Sequence, residues 1–345
     1  MAYRIRLHPS NIEFVAEANE SILDAGLRQG VMLPYGCRGG VCGSCAATIL
    51  TGLVHYPFGK AQGLTPFDET RGKTYLCMAA AASDLDLEVA NIRRDTEIEV
   101  KTLPVRVEKM QKLAPDVMEL TLKLPASERL RFLPGQYIDI LLKDGTRRGF
   151  SLANAPFNDQ VLELHVRHVP NGKFTSYVFN EMQEKALMRI EGPLGGFYIH
   201  DSERPLILMG GGTGFAPLKS MLEQLMEAGL TRPVYLYWGA RAQVDLYMDS
   251  VVRSWVERQP LLTYVPVLSE PNAEDGWLGR TGYVHTAVAS DFPDLSGYDV
   301  YMSGPPPMIN AAKLSFLAQG LPDNQLYSDA FEYSPDTLNA MKAGA

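Results

Sequence analysis

The chain has 345 residues, 46% of them hydrophobic and 21% charged, proportions that exclude wholesale disorder and predict two or three domains. Lys and Arg number 32 against 40 Asp and Glu, and the resulting net charge of −8 argues against a nucleic-acid binder, which needs a basic face. No apolar run reaches the ~20 residues of a membrane span, and Tyr3-Arg4-Ile5-Arg6-Leu7 lacks the apolar stretch of a secretory signal, so a cytoplasmic protein is expected.

In chain order, Tyr3, Ile5 and Leu7 alternate with Arg4 and Arg6, which predicts a half-buried strand. Ser21 can cap a short helix through Leu27 ahead of Gly30, and Thr48–Leu50 and Leu85–Val89 offer further strands. Residues 1–93 thus form a small mixed α+β domain, and 94–102, charged and aperiodic, form a linker. Residues 103–202 are strand-rich: Val105–Val107, Met118–Leu124, Tyr137–Leu142 and Val161–Val169 are separated by Pro and Gly turns, the spacing of an antiparallel barrel. From 203 to 335 strands alternate with helices. Strands Pro205–Met209, Val234–Trp238, Thr263–Leu268 and Val300–Met302 and helices Pro217–Ala228, Met248–Glu257 and Pro307–Gln319 predict a doubly wound parallel α/β sheet. Residues 336–345 remain as a tail.

All four cysteines precede residue 78. Cys37, Cys42 and Cys45 lie in one glycine-rich loop and Cys77 stands apart, the C-x4-C-x2-C plus distant Cys spacing of a plant-type 2Fe–2S cluster. Thiolates are the soft ligands that such clusters select. Gly36, Gly39, Gly40 and Gly43 let the backbone curl and aim its amides at sulfur. A four-thiolate zinc site fits less well, because zinc usually takes two separated thiol pairs. A disulfide framework is disfavoured in a chain without secretory features.

Two further segments suit phosphate-bearing cofactors. Arg148-Gly149-Phe150-Ser151 supplies a guanidinium for a pyrophosphate, a ring for a flavin and a hydroxyl for a flavin nitrogen, and Gly172 through Thr175 opens a helix whose N-terminus can hold phosphate. Gly211-Gly212-Thr213-Gly214 joins a strand to a helix, with Pro217 where a dinucleotide fingerprint would carry its third glycine. The second strand of that region ends in Trp238-Gly239-Ala240-Arg241 without the expected acid, and Ser303-Gly304-Pro305 follows a later strand. Each segment has a plain alternative: a surface arginine, a core phenylalanine, a capped helix or a rigid Pro-rich loop.

Taken together with Leu7-His8-Pro9-Ser10, Leu33 to Arg38, His165 to Pro170, Ile190 to Gly195 and Tyr327 to Phe331, these segments resemble the ferredoxin-fused branch of the ferredoxin–NAD(P)+ reductase superfamily along essentially the whole chain. That branch includes reductase components of bacterial phenol hydroxylase, methane monooxygenase and benzoate dioxygenase, and CDP-6-deoxy-3,4-glucoseen reductase-like proteins. The resemblance implies a β-grasp ferredoxin domain, then a β-barrel that binds FAD, then a doubly wound domain that binds NAD. It implies cluster ligation by Cys37, Cys42, Cys45 and Cys77, and FAD contacts from Arg148, Gly149, Phe150, Ser151, His165, Val166, Gly172, Phe174 and Thr175. Nicotinamide-nucleotide contacts fall on Gly211, Gly212, Thr213, Gly214, Arg241, Gly304 and Pro305, and Ser151, Ser303 and Phe331 come near the reacting rings. Two positions depart from the pattern: Ser303 stands where the family often has cysteine, and Asp329 where many relatives have glutamate.

The implied activity is electron transfer from NAD(P)H through FAD and the cluster to an external redox protein, an oxygenase or a sugar-nucleotide dehydratase component, with the chain acting as a monomer. No carboxylate pair or nucleophilic triad is expected. A redox sensor that binds the same groups without turnover is the alternative of another class. NADH is expected over NADPH, because Arg241 is the lone cation near the second strand's end and Asp245 would oppose a 2′-phosphate.

The cluster reading predicts about two irons per chain and a rhombic paramagnetic signal after reduction. Cys42→Ser should abolish NADH-driven cytochrome c reduction while sparing ferricyanide, which can take electrons from the flavin. Stoichiometric zinc, or equal loss of both activities, contradicts it.

Overall fold

Alternation makes β1 (Ala2–His8), in which Ile5 and Leu7 are fully buried while Arg4 and Arg6 face outward. This computed structural model describes residues 2–89, 92, 98–272, 274 and 276–331. They fall into two units, the first comprising Met1–Ile98, Gly195–Phe197 and Tyr327–Glu332, and the second the remainder.

In the first unit β1 pairs antiparallel with β2 (Ile12–Glu17), and Ser21 caps α1 (Ile22–Arg28) by accepting from the Asp24 amide. The chain continues through β3 (Ala46–Thr51), β4 (Val54–His55), α2 (Pro66–Thr70), β5 (Lys73–Tyr75), β6 (Ala80–Ala81) and β7 (Leu85–Glu88). The sheet order is β2-β1-β7-β3-β5, with β1 and β7 parallel and a small β4-β6 ladder beside it. Ile5, Leu7, Ile22, Leu23, Leu76 and Leu87 form its core. This is the mixed α+β domain expected from the sequence.

The second unit opens with β8 (Lys101–Ala114), which takes up the last two residues of the expected linker; residues 94–97 lie outside the described part, as does the tail. It is followed by β9 (Val117–Lys123), β10 (Tyr137–Leu141), β11 (Arg147–Ser151), β12 (Val161–Arg167), α3 (Lys173–Asn180) and β13 (Leu187–Leu194). Their order, β11-β10-β13-β8-β9-β12, leaves β11 and β12 at the two ends, and a Leu152–Leu164 bridge joins those ends. The Ala153 amide also donates to the Glu163 carbonyl at 2.8 Å. The sheet therefore closes on itself as an antiparallel barrel, which removes its exposed edges.

The same unit then alternates β14 (Leu206–Gly211), α4 (Phe215–Ala228), β15 (Val234–Ala240), α5 (Asp249–Arg258), β16 (Leu262–Leu268), β17 (Arg280–Thr281), α6 (Val284–Asp291), β18 (Asp299–Gly304) and α7 (Pro306–Ala318). Strands run parallel in the order β17-β16-β15-β14-β18. A last strand, β19 (Leu326–Ala330), begins in this unit and passes into the first at Tyr327. Among the described residues no helix is long and apolar enough to cross a membrane.

Candidate functional site

The four thiols gather as two pairs. Cys37 and Cys42 face each other, each backbone amide donating to the other's sulfur at 3.4 Å, and the Ser44 amide also reaches Cys42 Sγ at 3.4 Å. Cys45 and Cys77 are free thiols with sulfurs 3.3 Å apart. Gly40 and Gly43 take φ of 79°, the left-handed curl that only glycine adopts without strain. A Cβ on Gly36 would stand 3.2 Å from Cys42 Sγ and crowd the cradle. The Cys45 thiol is held above its ordinary range, first by its hydrogen bond with Cys77 and then by burial. Three thiols of one loop and Cys77 converge, and four thiolates brought together need positive charge between them, so the donor set fits a 2Fe–2S cluster.

Residues from the far end of the chain complete this unit. The Ser328 hydroxyl donates to the Cys42 carbonyl at 2.8 Å, and the Ser44 hydroxyl donates to the Ser328 carbonyl at 2.5 Å. Asp329 is buried and Phe331 half-buried.

On the barrel, β11 pairs with β10 so that Arg148 stands opposite Ile140 and Phe150 opposite Ile138. Gly149, Ser151 and Arg147 take the other face. Arg147 is held there by Glu191 and by Asp139 at 3.7 Å. The two adjacent arginines thus face opposite ways, as strand geometry requires. The ring of Phe150 lies 5.3 Å from that of Phe174, which is buried in the barrel core. Gly172 caps α3, and a Cβ there would meet Thr175 Oγ1 at 2.6 Å; that hydroxyl accepts from the Val169 amide at 3.1 Å. The turn is tight enough to present a helix N-terminus to phosphate.

The side chains of three residues expected to contact cofactors face the protein interior. His165 is buried and pairs through Nε2 with Glu163 at 2.8 Å and through Nδ1 with the Tyr247 hydroxyl at 3.0 Å. Val166 and Phe174 fill the barrel core. Alternation along β12 turns Val166 inward, and the helical period of α3 buries Phe174 with Val178.

The parallel sheet changes direction between β14 and β18: β15 and β16 build out from one side of β14, and β18 lies on the other. Ligands bind at such a switch point, beyond the carboxyl ends of the strands. Gly211–Gly214 and Ser303–Pro305 meet there. A Cβ on Gly214 would lie 2.1 Å from the Ser303 carbonyl oxygen, and one on Gly211 would lie 2.6 Å from Met308 Sδ. Only glycine lets the two loops close. Ser303 is fully buried and its hydroxyl has no hydrogen-bond partner, a polar atom left over where a nicotinamide would need one. Arg167 Nη1 would stand 3.2 Å from a Cβ on Gly212, and its buried Nε and Nη2 make no hydrogen bond, although Asp116 and Asp245 lie 3.4 and 3.9 Å away. Arg241 is exposed. Asp245, expected to oppose an added phosphate, is turned inward and accepts from the Ala242 amide at 3.1 Å.

Sequence reasoning missed a buried ionic cluster between barrel and sheet. Lys219, on α4, reaches Glu163 at 3.1 Å and Glu223 at 2.8 Å, and donates to the Ala153 carbonyl at 3.1 Å. Glu119, Glu163 and His165 lie close enough to suggest a metal, but the Lys219 ammonium already supplies the cation. Burial pushes Glu163 upward, yet the His165 hydrogen bond and the Lys219 charge outweigh it and hold the carboxyl at about 2, below its usual 4.5. The sequence signal is a lysine inside the largely apolar run Phe215–Leu222.

A carboxyl with a depressed folded pKa stabilises the fold fully above its unfolded value and loses that contribution as pH falls from 4.5 towards 2. Lys219→Met should raise the Glu163 pKa, so acid unfolding followed by circular dichroism should begin at higher pH than in the parent. An unchanged acid midpoint would show that the ammonium does not hold Glu163 ionised.

Comparison with known proteins accords with this geometry. Residues 5–82 match the 2Fe-2S iron-sulfur cluster binding domain, 104–199 the oxidoreductase FAD-binding domain and 208–314 the oxidoreductase NAD-binding domain. The CDP-6-deoxy-L-threo-D-glycero-4-hexulose-3-dehydrase reductase of Yersinia pestis is 40% identical over 331 residues, 96% of this chain and 99% of that one. Terephthalate 1,2-dioxygenase reductase component 1 of Comamonas is 34% identical, covering 97% of this chain and 99% of its own. The crystal structure of an Amycolatopsis cytochrome P450 reductase superposes with a TM-score of 0.75 at 30% identity, covering 95% of this chain and 98% of that one. The chain belongs to the family of iron–sulfur flavoprotein reductases that join a 2Fe–2S ferredoxin domain to FAD- and NAD-binding oxidoreductase domains.

Proposed function

We propose that this NAD(P)H-dependent reductase supplies single electrons to a sugar-nucleotide dehydrase, using NADH as donor. The observation that carries the reading is the end-to-end identity of 40% with a hexulose dehydrase reductase, against 34% and 32% for reductase components of a dioxygenase and a phenol hydroxylase. When bound, the cofactors convert a hydride's two electrons into single electrons; the chain's own residues hold those groups and exclude water. Cys37 and Cys42 would hold one iron and Cys45 and Cys77 the other. Arg148 would pair with the FAD pyrophosphate beside the Gly172–Thr175 turn, with Phe150, on the same face of β11, nearer the ring. Gly211–Gly214, Gly304 and Pro305 would cradle the nicotinamide nucleotide, and the Ser303 hydroxyl would find its partner there.

The NADH preference rests on the sequence Trp238–Leu246, in which Arg241 is the one cation available to a 2′-phosphate. Four free thiols in the described chain favour a reducing compartment, the cytoplasm. An oxygenase partner is the second reading, supported by the dioxygenase and hydroxylase relatives.

Supplying the NADH-reduced protein in parallel to a CDP-hexulose dehydrase and to a ring-hydroxylating dioxygenase tests the partner. Product should form with the dehydrase, and kcat/KM should be higher for NADH than for NADPH. Turnover with the dioxygenase alone, or an NADPH preference, overturns the respective half of the proposal.

Arg148→Ala should weaken FAD binding by about 10- to 150-fold, the worth of one charge-assisted hydrogen bond. Arg148→Lys should restore part of it, because an ammonium keeps charge but loses the planar fork. Arg147→Ala should change FAD retention little, since its exposed pairing with Glu191 contributes about 1 kcal/mol or less. Flavin released on gel filtration gives the measurement. FAD lost from Arg147→Ala and kept by Arg148→Ala would reverse the assignment.

A further inference from the structure

Helix α4 starts at the glycine turn, and its second turn grips the barrel directly. Lys219 donates to the Ala153 carbonyl at 3.1 Å, the Ser220 hydroxyl donates to the Asn154 carbonyl at 2.7 Å, and the Glu223 carboxylate accepts from the Ala155 amide at 3.1 Å. Three consecutive backbone groups, beginning two residues after Ser151, are therefore held by one helix. Lys219 is almost wholly buried and each of its three N–H groups has an acceptor: Ala153, Glu163 and Glu223. Glu163 belongs to β12, at the seam where the barrel closes, and passes the contact on through His165 to Tyr247.

We propose that Lys219 is a positioning residue for hydride transfer: it locks the helix carrying the nicotinamide turn to the strand end that follows the flavin motif. The inference rests on the assignment of FAD to β11 and of nicotinamide to the Gly211–Gly214 turn. Lys219 lies five residues beyond Gly214, and Ala153 two residues beyond Ser151. A direct link between the helix that follows the glycine turn and the strand end that follows the flavin motif thus runs through this ammonium. A hydride moves only between atoms about 3–3.5 Å apart, and a displacement of ~1 Å can cost on the order of 100-fold in rate. An ammonium with three fixed acceptors tolerates little displacement, because any acceptor it loses leaves a buried charge under-satisfied. The contacts of Lys219 are with Ala153, Glu163 and Glu223, so its effect is on the distance between the segments that carry the cofactors.

The test uses the full-length holoprotein, comparing Lys219→Met, Lys219→Arg and Ser220→Ala with the parent. Flavin reduction is followed by rapid mixing with NADH and with 4-deuterated NADH, alongside FAD content and the long-wavelength charge-transfer absorbance between nicotinamide and flavin rings. Lys219→Met should slow flavin reduction by about 10- to 100-fold per bound FAD. The charge-transfer band should weaken and the deuterium isotope effect should rise, while dithionite still reduces the flavin fully. Lys219→Arg should recover part of the rate and of the band. If Lys219→Met does not yield folded holoprotein, Ser220→Ala carries the test, with a smaller loss of several-fold and the same weakening of the band. A purely structural role would lower thermal stability and FAD content but leave the rate per bound FAD and the band unchanged, and that result overturns the proposal. Failure of the underlying cofactor assignment shows differently, as Arg148→Ala that keeps its FAD.

Discussion

A buried ammonium is tolerable only where its charge and all three of its protons are met, and the second unit is organised around one such group. Lys219 requires an acceptor from the barrel's closing seam, one from its own helix and a backbone carbonyl beside the flavin motif. Those demands are compatible only if the barrel is closed, α4 is seated and the glycine turn is formed. Much of what surrounds the cluster follows suit: Glu163 stays ionised, His165 is oriented by Glu163 and Tyr247, and the segment from Ala153 to Ala155 has no freedom to shift. The segments proposed to hold FAD and the nicotinamide nucleotide are joined by this satisfaction of charge.

A second constraint is steric and sits at the switch point of the parallel sheet. The loop after β14 and the loop after β18 approach until a Cβ at Gly214 would occupy the space of the Ser303 carbonyl. Bare backbone on one side and a buried, unpartnered hydroxyl on the other make a surface suited to a flat polar ring. Backbone amides at the start of α4 suit the phosphates that follow it. Catalysis in such a protein is a matter of holding groups at fixed separations, and no side chain needs to act as a nucleophile or a proton abstractor.

Local features were legible from the sequence and long-range ones were not. The cysteine loop could be read because three of its ligands and the glycines that curl it lie within a few residues of one another. The opposed directions of Arg147 and Arg148 follow from strand alternation alone. Strand Ile12–Glu17 and strand Leu187–Leu194 passed unnoticed, the second because Gly192 and Pro193 interrupt its pattern. His165 was assigned to a cofactor on the strength of a string, yet its partners come from Glu163 and from Tyr247, about 80 residues away in sequence. The capping of the Ala242 amide by the Asp245 carboxylate belongs to a short turn that the charge count alone does not show. Pairings among Ala153, Glu163 and Lys219 span three elements, and spacing within one element carries no trace of them.

The first unit is built from three stretches of chain, and this bears on how such reductases are assembled and taken apart. The Cys42 carbonyl receives its hydrogen bond from Ser328, and the Tyr35 carbonyl receives one from Gly196. Cutting the gene at the linker would remove the native donors of both carbonyls, although the matched ferredoxin domain, residues 5–82, is contiguous. Recombination that swaps this domain between reductases must therefore carry, or converge on, a serine near the opposite end of the chain.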